Sequence, residues 1–587
     1  MSTEPDGSTL MKRRCGWNNR RSGAILFAAL TAVGAFFHAS TLPADPLSLD
    51  CTIDWHVNDP SLNLNGPTFA ATVWDSDGAG PLADRLYLGG SFTTAGGSPA
   101  AYILSWDGRA IHTLSSGMDA RVLALTAFNG NLIASGDFST AGGTSCHRIG
   151  LWDGSSWQAL GTGINGTVAA LTVYNGALIA GGLFSSAGGV SANNIAKWDG
   201  NSWSAMGSGM GGSFPFVQSL TVYGDKLIAG GSFTTAGGAP INYIAQWDGS
   251  SWQALGSGIS GFGYVSALGV YNGDLVAGGQ FPAAGSTNAH DLALWDGSDW
   301  ISIGRRVNAA IATISVYNGK MVIGGNFTTV ADGTAASKIA FWDGANWSPL
   351  TSGTNTDVQA VAVYHNDLIV GGQFTVAGGN SAGYWSRWGP AQPTVTLQPS
   401  SQGTCEGSSA QFTVAATGVG SLSYQWRRGE SVLSNGGQIS GADTATLTVN
   451  PAGPADTDSA YNCVIVDSCG GLVISQDAGL ALTDGPAANT GGPYSGCETA
   501  AVSLGGTANN AASVSWSSSG TGTFTDGDTV SASYLPSEDD VEAGSVTLTL
   551  TAAPNPPCAA PATSQTTLTL VKNPTADAGG PYATCDV

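Results

Sequence analysis

A phenylalanine-centred motif returns seven times between residues 87 and 379, and no other feature of the chain limits its possible folds so strongly. "YLGGSFTTAGG" (from Tyr87), "IASGDFSTAGG" (from Ile133), "IAGGLFSSAGG" (from Ile179) and "IAGGSFTTAGG" (from Ile228) are near copies, and "VAGGQFPAAG", "VIGGNFTTVADG" and "IVGGQFTVAGG" continue the series. Their phenylalanines are Phe92, Phe138, Phe184, Phe233, Phe281, Phe327 and Phe374, spaced by 46, 46, 49, 48, 46 and 47 residues. Each unit carries four short strand patterns. In the copy ending near Gly207, "VAALTVY" alternates apolar and polar residues and Asn175-Gly176 is a hairpin turn. "ALIAGGLF", "NNIAKW" (turned at Asp199-Gly200) and "SWSAM" supply the other three. Four antiparallel strands repeated seven times predict an all-β fold of propeller blades rather than a helical solenoid.

Tryptophans keep the same count. One falls in the third strand of every unit, at Trp106, Trp152, Trp198, Trp247, Trp295, Trp342 and Trp388. A second follows five residues later at Trp157, Trp203, Trp252, Trp300 and Trp347; Ile111 replaces it in the first unit, and the last unit runs into "GPAQPT" instead. The missing strand is found upstream, where "IDWHV" places Trp55 before the first complete unit. An N-terminal strand is therefore expected to complete the seventh blade and close the ring, removing the free edges an open array exposes. The tryptophans read as packing between blades, and the diglycines as sites of close approach by a neighbouring aromatic or backbone.

These repeats resemble the kelch family and are similar to propellers of the galactose oxidase type. The matching elements are the diglycine (Gly181-Gly182), the third-strand aromatic (Trp198), and the later Trp203 followed by an apolar residue and Gly. The resemblance covers residues 51–389 and departs in carrying Trp-Asp-Gly where kelch repeats usually have Tyr-Asp. Residues 45–391 are assigned to a seven-bladed β-propeller.

Two β-sandwich modules are expected beyond it. Residues 392–484 resemble an Ig-like domain: "AQFTVAA" as strand B, "LSYQWRRG" as strand C with Trp426, "ATLTV" as strand E, and "SAYNCVIV" as strand F with Tyr461 two residues before Cys463. Val414 stands where such domains carry their first cysteine, so the central bridge is absent. By analogy with bacterial Ig-like domains the expected pair is Cys405–Cys469, leaving Cys463 buried and free, with a Cys463 bridge as the alternative. Residues 485–575 resemble PKD-like domains, for which a Cys497–Cys558 staple is expected. "ADAGGPYATC" repeats "ANTGGPYSGC", so residues 576–587 read as the start of a further copy and the chain as a piece of a longer array.

Lys12, Arg13, Arg14, Arg20 and Arg21 precede an apolar run from Ala24 to Phe37, which is short for a membrane span and suits a signal peptide over residues 1–44. An extracellular or cell-surface location is expected, with no membrane insertion of the mature chain. A net charge of −22 opposes nucleic acid or anionic membrane as partners.

Chemistry is sparse. The six histidines are His38, His56, His112, His147, His290 and His365, scattered singly, and no catalytic motif or cofactor fingerprint stands out. Cys146-His147 is the one adjacent soft-ligand pair and reads better as an irregular loop. Asp75 and Asp77, with Asp84, form an oxygen-rich loop that is a weak calcium candidate; a hairpin turn is favoured. Glu538-Asp539-Asp540 reads as an exposed turn. No catalytic residue, cofactor or firm metal site is assigned. The expected function is binding or adhesion, with polysaccharide or a cell-surface protein as ligand class. A passive surface-layer scaffold and, less favoured, an extracellular propeller enzyme are the alternatives.

Overall fold

The computed structural model describes residues 51–56, 62–78, 80–304, 306–331, 333–498 and 500–572; the expected signal peptide and the second GGPY copy lie outside them. Regular structure is almost entirely β. Each repeat forms one four-stranded antiparallel sheet, giving seven. In the third, the strands are Thr167–Tyr174, Ala177–Leu183, Ile195–Trp198 and Trp203–Ala205, paired in that order.

Local chemistry explains each turn. Asn175 and Gly176 take φ of 48° and 73°, the doubly positive conformation that suits the twist of a two-residue hairpin. The Asp199 carboxylate accepts the amides of Asn201 and Ser202 at 2.9 and 2.8 Å, so the aspartate of Trp-Asp-Gly is a turn-former. Asp153, Asp248, Asp296 and Asp343 do the same in their repeats. The diglycine has two distinct jobs. A Cβ on Gly182 would lie 2.0 Å from the Thr167 carbonyl oxygen, and one on Gly181 would lie 2.5 Å from Val217 in the next sheet. Backbone and valine make the close approaches there, and no aromatic does.

Ahead of the third strand, every repeat holds a non-glycine residue at positive φ: Tyr102, Arg148, Asn194, Tyr243, Asp291, Lys338 and Tyr384, all between 64° and 76°. Such a conformation costs about 1–2 kcal/mol. Two backbone hydrogen bonds hold it. The Asn194 amide donates to the Phe184 carbonyl, and the Asn194 carbonyl accepts from the Gly182 amide, both at 2.9 Å; the other six repeats copy the pair.

Sheets are joined through indoles. The fourth-strand tryptophans Trp157, Trp203, Trp252, Trp300 and Trp347 donate Nε1–H to the carbonyls of Leu114, Leu160, Met206, Leu255 and Gly304, just past the last strand of the preceding sheet. The third-strand tryptophans belong to the packed cores, Trp106 and Trp152 to Trp295 being buried and Trp342 and Trp388 partly so. The strand missing from the last repeat is Ile53–Trp55, which pairs antiparallel with Trp385–Pro390 and sets Trp55 opposite Trp388. Trp55 Nε1 donates to Leu350 O at 3.2 Å, as its counterparts do. The inner strands Thr68–Trp74 and Val358–Tyr364 of the first and seventh sheets pack side by side.

The second module is a β-sandwich around Phe412, Val414, Trp426, Tyr461 and Cys463. Its main sheet includes Leu422–Arg428 beside Asp458–Asp467, faced by Ala410–Thr413 and Thr446–Val449. Tyr461 donates its hydroxyl to Asp456 O at 2.7 Å, closing the tyrosine corner. Cys463 is free and buried, and burial pushes its thiol pKa up to about 12. The third module pairs Ala511–Ser518, Ser545–Pro554, Ala562–Val571 and Tyr494–Cys497 in one sheet. Glu538-Asp539-Asp540 is no exposed turn but the start of a helix, Glu538–Ala543, capped by Ser537. Asp540 is buried; its carboxylate accepts the amides of Thr521, Gly522 and Ser537 and the Tyr534 hydroxyl.

Both expected disulfides are replaced by others. The bridges are Cys51–Cys469 and Cys405–Cys558, with Cα separations of 5.5 and 4.8 Å, while Cys497 is exposed and unpaired. Analogy places the staples within modules, whereas the turn after Asp467 carries Cys469 to Cys51, beside the N-terminal strand Ile53–Trp55. Cys405 ends its strand facing the Asn555–Cys558 turn of the third module. Non-reducing peptide mapping is therefore expected to recover Cys51 with Cys469 and Cys405 with Cys558, and no native alkylation of Cys463. A Cys405–Cys469 peptide would contradict this arrangement.

Candidate functional site

The beginnings of the seven inner strands surround one cavity of about 630 Å³, within the range of about 300–1,000 Å³ usual for small-molecule sites. Every repeat contributes to its wall, from Phe69 in the first to Gln359 in the seventh. The rings of Phe216 and Tyr264 and the amides of Gln218 and Asn326 face it from the fourth, fifth and sixth repeats. The side-chain carbonyl oxygens of Gln218 and Gln359 are shielded from bulk solvent and have no hydrogen-bond partner in the protein. Such atoms are costly to leave unpaired, and here a ligand or water reaches them only when the glutamine amide turns towards the cavity.

Charge on the wall is balanced. Arg121 Nε donates to Asp137 Oδ2 at 2.9 Å, and Thr167 Oγ1 donates to the other oxygen at 2.7 Å. Asp357 lies 3.9 Å from Lys338 Nζ. Burial and the Asp291 charge raise the pKa of the Tyr264 hydroxyl, which stays protonated and able to donate.

In five repeats the segment ahead of the inner strand is fixed by one side chain. Asn65, Asp119, Asn165, Asn308 and Asn355 each accept two successive amides, as Asn165 does from Ser185 and Ser186 at 3.0 and 2.9 Å. The fourth and fifth repeats lack this clamp. There Met210–Gly211 and Ile259–Ser260 pair as short strands with Thr235–Ala236 and Ala283–Ala284, and the following segment is longer.

The sequence candidates fall elsewhere. Asp75, Asp77 and Asp84 are not brought together as a calcium site. Asp75 accepts the Asp77 amide and Asp77 the Leu82 amide, each at 3.1 Å, while Asp84 meets His365 Nε2 at 3.2 Å. Burial, then Asp77, raises the Asp75 pKa. Short polar loops spend their carboxylates on their own amides, which is why the turn reading prevails. Cys146 is sealed in the core while His147 bonds Ser145, so this pair does not converge.

Among the described residues one group has metal-ligand spacing: Asp107, His112 and Glu430. Its members are already committed. His112 Nε2 lies 2.9 Å from Asp107 Oδ2, Asp107 Oδ1 accepts the amides of Arg109 and Ala110, and Glu430 is ion-paired with Arg85. Asp107 and His112 belong to the first repeat and Glu430 to the second module. Arg109–Asp477 and the Val432 amide bonded to Pro81 O continue the same seam. No sequence pattern relates residues this far apart along the chain.

Two family models match the chain. Residues 105–271 match the Rax2 C-terminal beta propeller domain, and residues 392–466 match an immunoglobulin domain. The chain thus contains a β-propeller domain and an Ig domain within an all-β architecture. Among solved structures, a titin I-band fragment (I67–I69) is 22% identical over 31% of this chain and 66% of its own, with a TM-score of 0.22. Extracellular domains 3–5 of Drosophila OTK are 16% identical over 35% of this chain and 71% of theirs, with a TM-score of 0.20. A search of curated proteins finds no match.

Burial alone would raise the Asp107 pKa, but His112 and the two backbone amides outweigh it and hold the carboxyl well below the usual range. Its stabilising contribution is therefore present above about pH 4 and lost as the pH falls through the folded-state value. Asp107→Asn is expected to destabilise the chain by about 1–3 kcal/mol at pH 7. In urea melts the difference should shrink steadily below about pH 4; a pH-independent difference would contradict the ionised role.

Proposed function

We propose that this is an exported binding or adhesion protein whose recognition site is the cavity shared by the seven inner strands. In this reading the seven sheets close into a kelch-like propeller, with Ile53–Trp55 as the closing strand. The second and third modules, the latter PKD-like, carry that propeller at a cell surface or in the extracellular space. Ring closure is supported by the Trp55 pairing and by the contribution of all seven repeats to one cavity wall. Export is supported by two disulfides, which persist in oxidising compartments.

The observation that carries the binding role is the pair of unpartnered glutamine oxygens in the wall. Polysaccharide is the proposed ligand class. Hydroxyls satisfy the amides, and the C–H faces of sugar rings pack on Phe69, Phe216 and Tyr264. We propose no catalytic step. A passive scaffold is the second reading, favoured by the covalent and ionic seams that tie the modules together.

A panel of immobilised polysaccharides and surface proteins presented to the full chain separates the two. Saturable binding to a polysaccharide, weakened at least tenfold by Gln218→Leu or Gln359→Leu, is the expected result. A blank panel together with concentration-dependent self-assembly would replace this reading with the scaffold.

A further inference from the structure

The fourth and fifth repeats depart from the other five at one place. Between the apolar residue that anchors the segment and the first core valine of the inner strand, the third repeat runs from Ile164 to Val168. The fourth runs from Met210 to Val217 and the fifth from Ile259 to Val265, so these two segments are longer by three and two residues. Both insertions end in the same pattern, an aromatic pair separated by one residue: Phe214-Pro215-Phe216 and Phe262-Gly263-Tyr264.

The second aromatic of each pair, Phe216 or Tyr264, lines the cavity. The first is left in solvent, Phe214 at 81% and Phe262 at 97% exposure, the two most exposed large apolar side chains described. The two inner strands that follow, Val217–Tyr223 and Tyr264–Tyr271, are neighbours. Both insertions are anchored. The Phe214 carbonyl accepts the Ser232 hydroxyl at 2.7 Å and the Phe216 amide at 2.8 Å, and the Gly261 carbonyl accepts the Tyr243 hydroxyl at 3.1 Å. Two rings are thus held in water two residues ahead of the cavity-lining Phe216 and Tyr264, and that continuation into the wall marks them as part of one surface.

We propose that Phe214 and Phe262 form an aromatic gate for a neutral sugar chain that enters the cavity by its end. This deepens the binding role proposed above and rests on it. Three observations select that occupant. The acceptors on Gln218 and Gln359, unpartnered within the protein, are satisfied when their amides turn to meet donors, which hydroxyls supply. The charged groups of the wall, Arg121 and Asp357, are already paired with Asp137 and Lys338, so no charge on the ligand is called for. An uncharged ligand also escapes the repulsion that a net charge of −22 imposes on a polyanion. The cavity is walled by all seven repeats, which admits a terminus end-on and leaves the following units to stack on the exposed rings.

The test uses the full chain, cello- and manno-oligosaccharides of two to six units, and oligogalacturonides as charged counterparts, read by calorimetry. Phe214→Ala with Phe262→Ala removes only exposed side chains, and a circular dichroism melt checks that the fold is kept. The double variant is expected to weaken binding of the longer neutral oligosaccharides at least tenfold and to leave the disaccharides unchanged. Gln218→Leu is expected to weaken both. Binding of all lengths that Gln218→Leu abolishes and the phenylalanine variant leaves intact would overturn the gate while keeping the cavity as the site. Preference for oligogalacturonides would overturn the neutral ligand. Absence of binding by any saccharide would overturn the sugar-binding reading itself.

Discussion

One hydrogen bond, from a tryptophan indole to a backbone carbonyl of the neighbouring sheet, organises the repeat array. Six carbonyls accept such a bond: Leu114, Leu160, Met206, Leu255, Gly304 and Leu350. Five are served by the second tryptophan of a repeat and the sixth by Trp55 from the N-terminal strand. At the seventh junction Ile111 stands in place of that tryptophan, and Trp385 of the seventh sheet donates Nε1–H at 2.8 Å to Leu62 O in the segment after the N-terminal strand. Trp385 packs edge-on against Trp106, whose ring also lies 4.9 Å beneath the Arg387 guanidinium. The junction between the first and seventh sheets is thus built from different residues. A buried indole contributes both a large apolar area and a satisfied donor, so each sheet is fixed to the next in one orientation. The diglycines then let the sheets approach closely enough for Val217 and its counterparts to fill the space.

The second module is fastened at that same junction. Its Cys469 bridges Cys51 just ahead of the N-terminal strand, Glu430 pairs with Arg85, Asp477 with Arg109, and Ser431 bridges to Leu82 in the first repeat. Ile474 lies against Gly108 and Gly470 against Asn366 of the seventh repeat. A module placed here packs on both the first and the seventh repeats. The Cys51–Cys469 bridge closes a span of 418 residues, and long closed spans restrict the unfolded chain most in the entropic account of disulfides. Cys405–Cys558 carries the same logic to the third module.

The sheets, their turns and the N-terminal strand that completes the seventh sheet were legible because each rests on short-range chemistry that repeats. Asn175-Gly176 and Asp199-Gly200 are turn pairs whatever surrounds them, and the absent second tryptophan of the last repeat pointed directly to Trp55. What escaped was set by residues meeting across long separations. The disulfide partners depend on how modules dock, and the Asp107–His112–Glu430 group joins two of them. The positive-φ position was hidden because Tyr102, Arg148, Tyr243 and Lys338 give no sign of it; neighbouring backbone groups impose the conformation. An exposed turn at Asp540 is the reading that composition alone supports, whereas Ser537 three residues earlier completes a capping box. The cavity was invisible for a related reason, since its wall takes a few residues from every repeat. The lengthened segments at Phe214 and Phe262 were present in the uneven spacings of 49 and 48 residues, which pointed to insertions without saying where they project.

The claim on which the rest stands is that Ile53–Trp55 supplies the outer strand of the seventh sheet. Urea unfolding of the full chain carrying Trp55→Ala, beside the same chain carrying Trp203→Ala, measures it most directly. The account predicts similar losses for the two variants, about 3–5 kcal/mol each, because both indoles fill the same position between sheets. A Trp55→Ala variant within about 0.5 kcal/mol of the parent, with Trp203→Ala strongly destabilised, would contradict it.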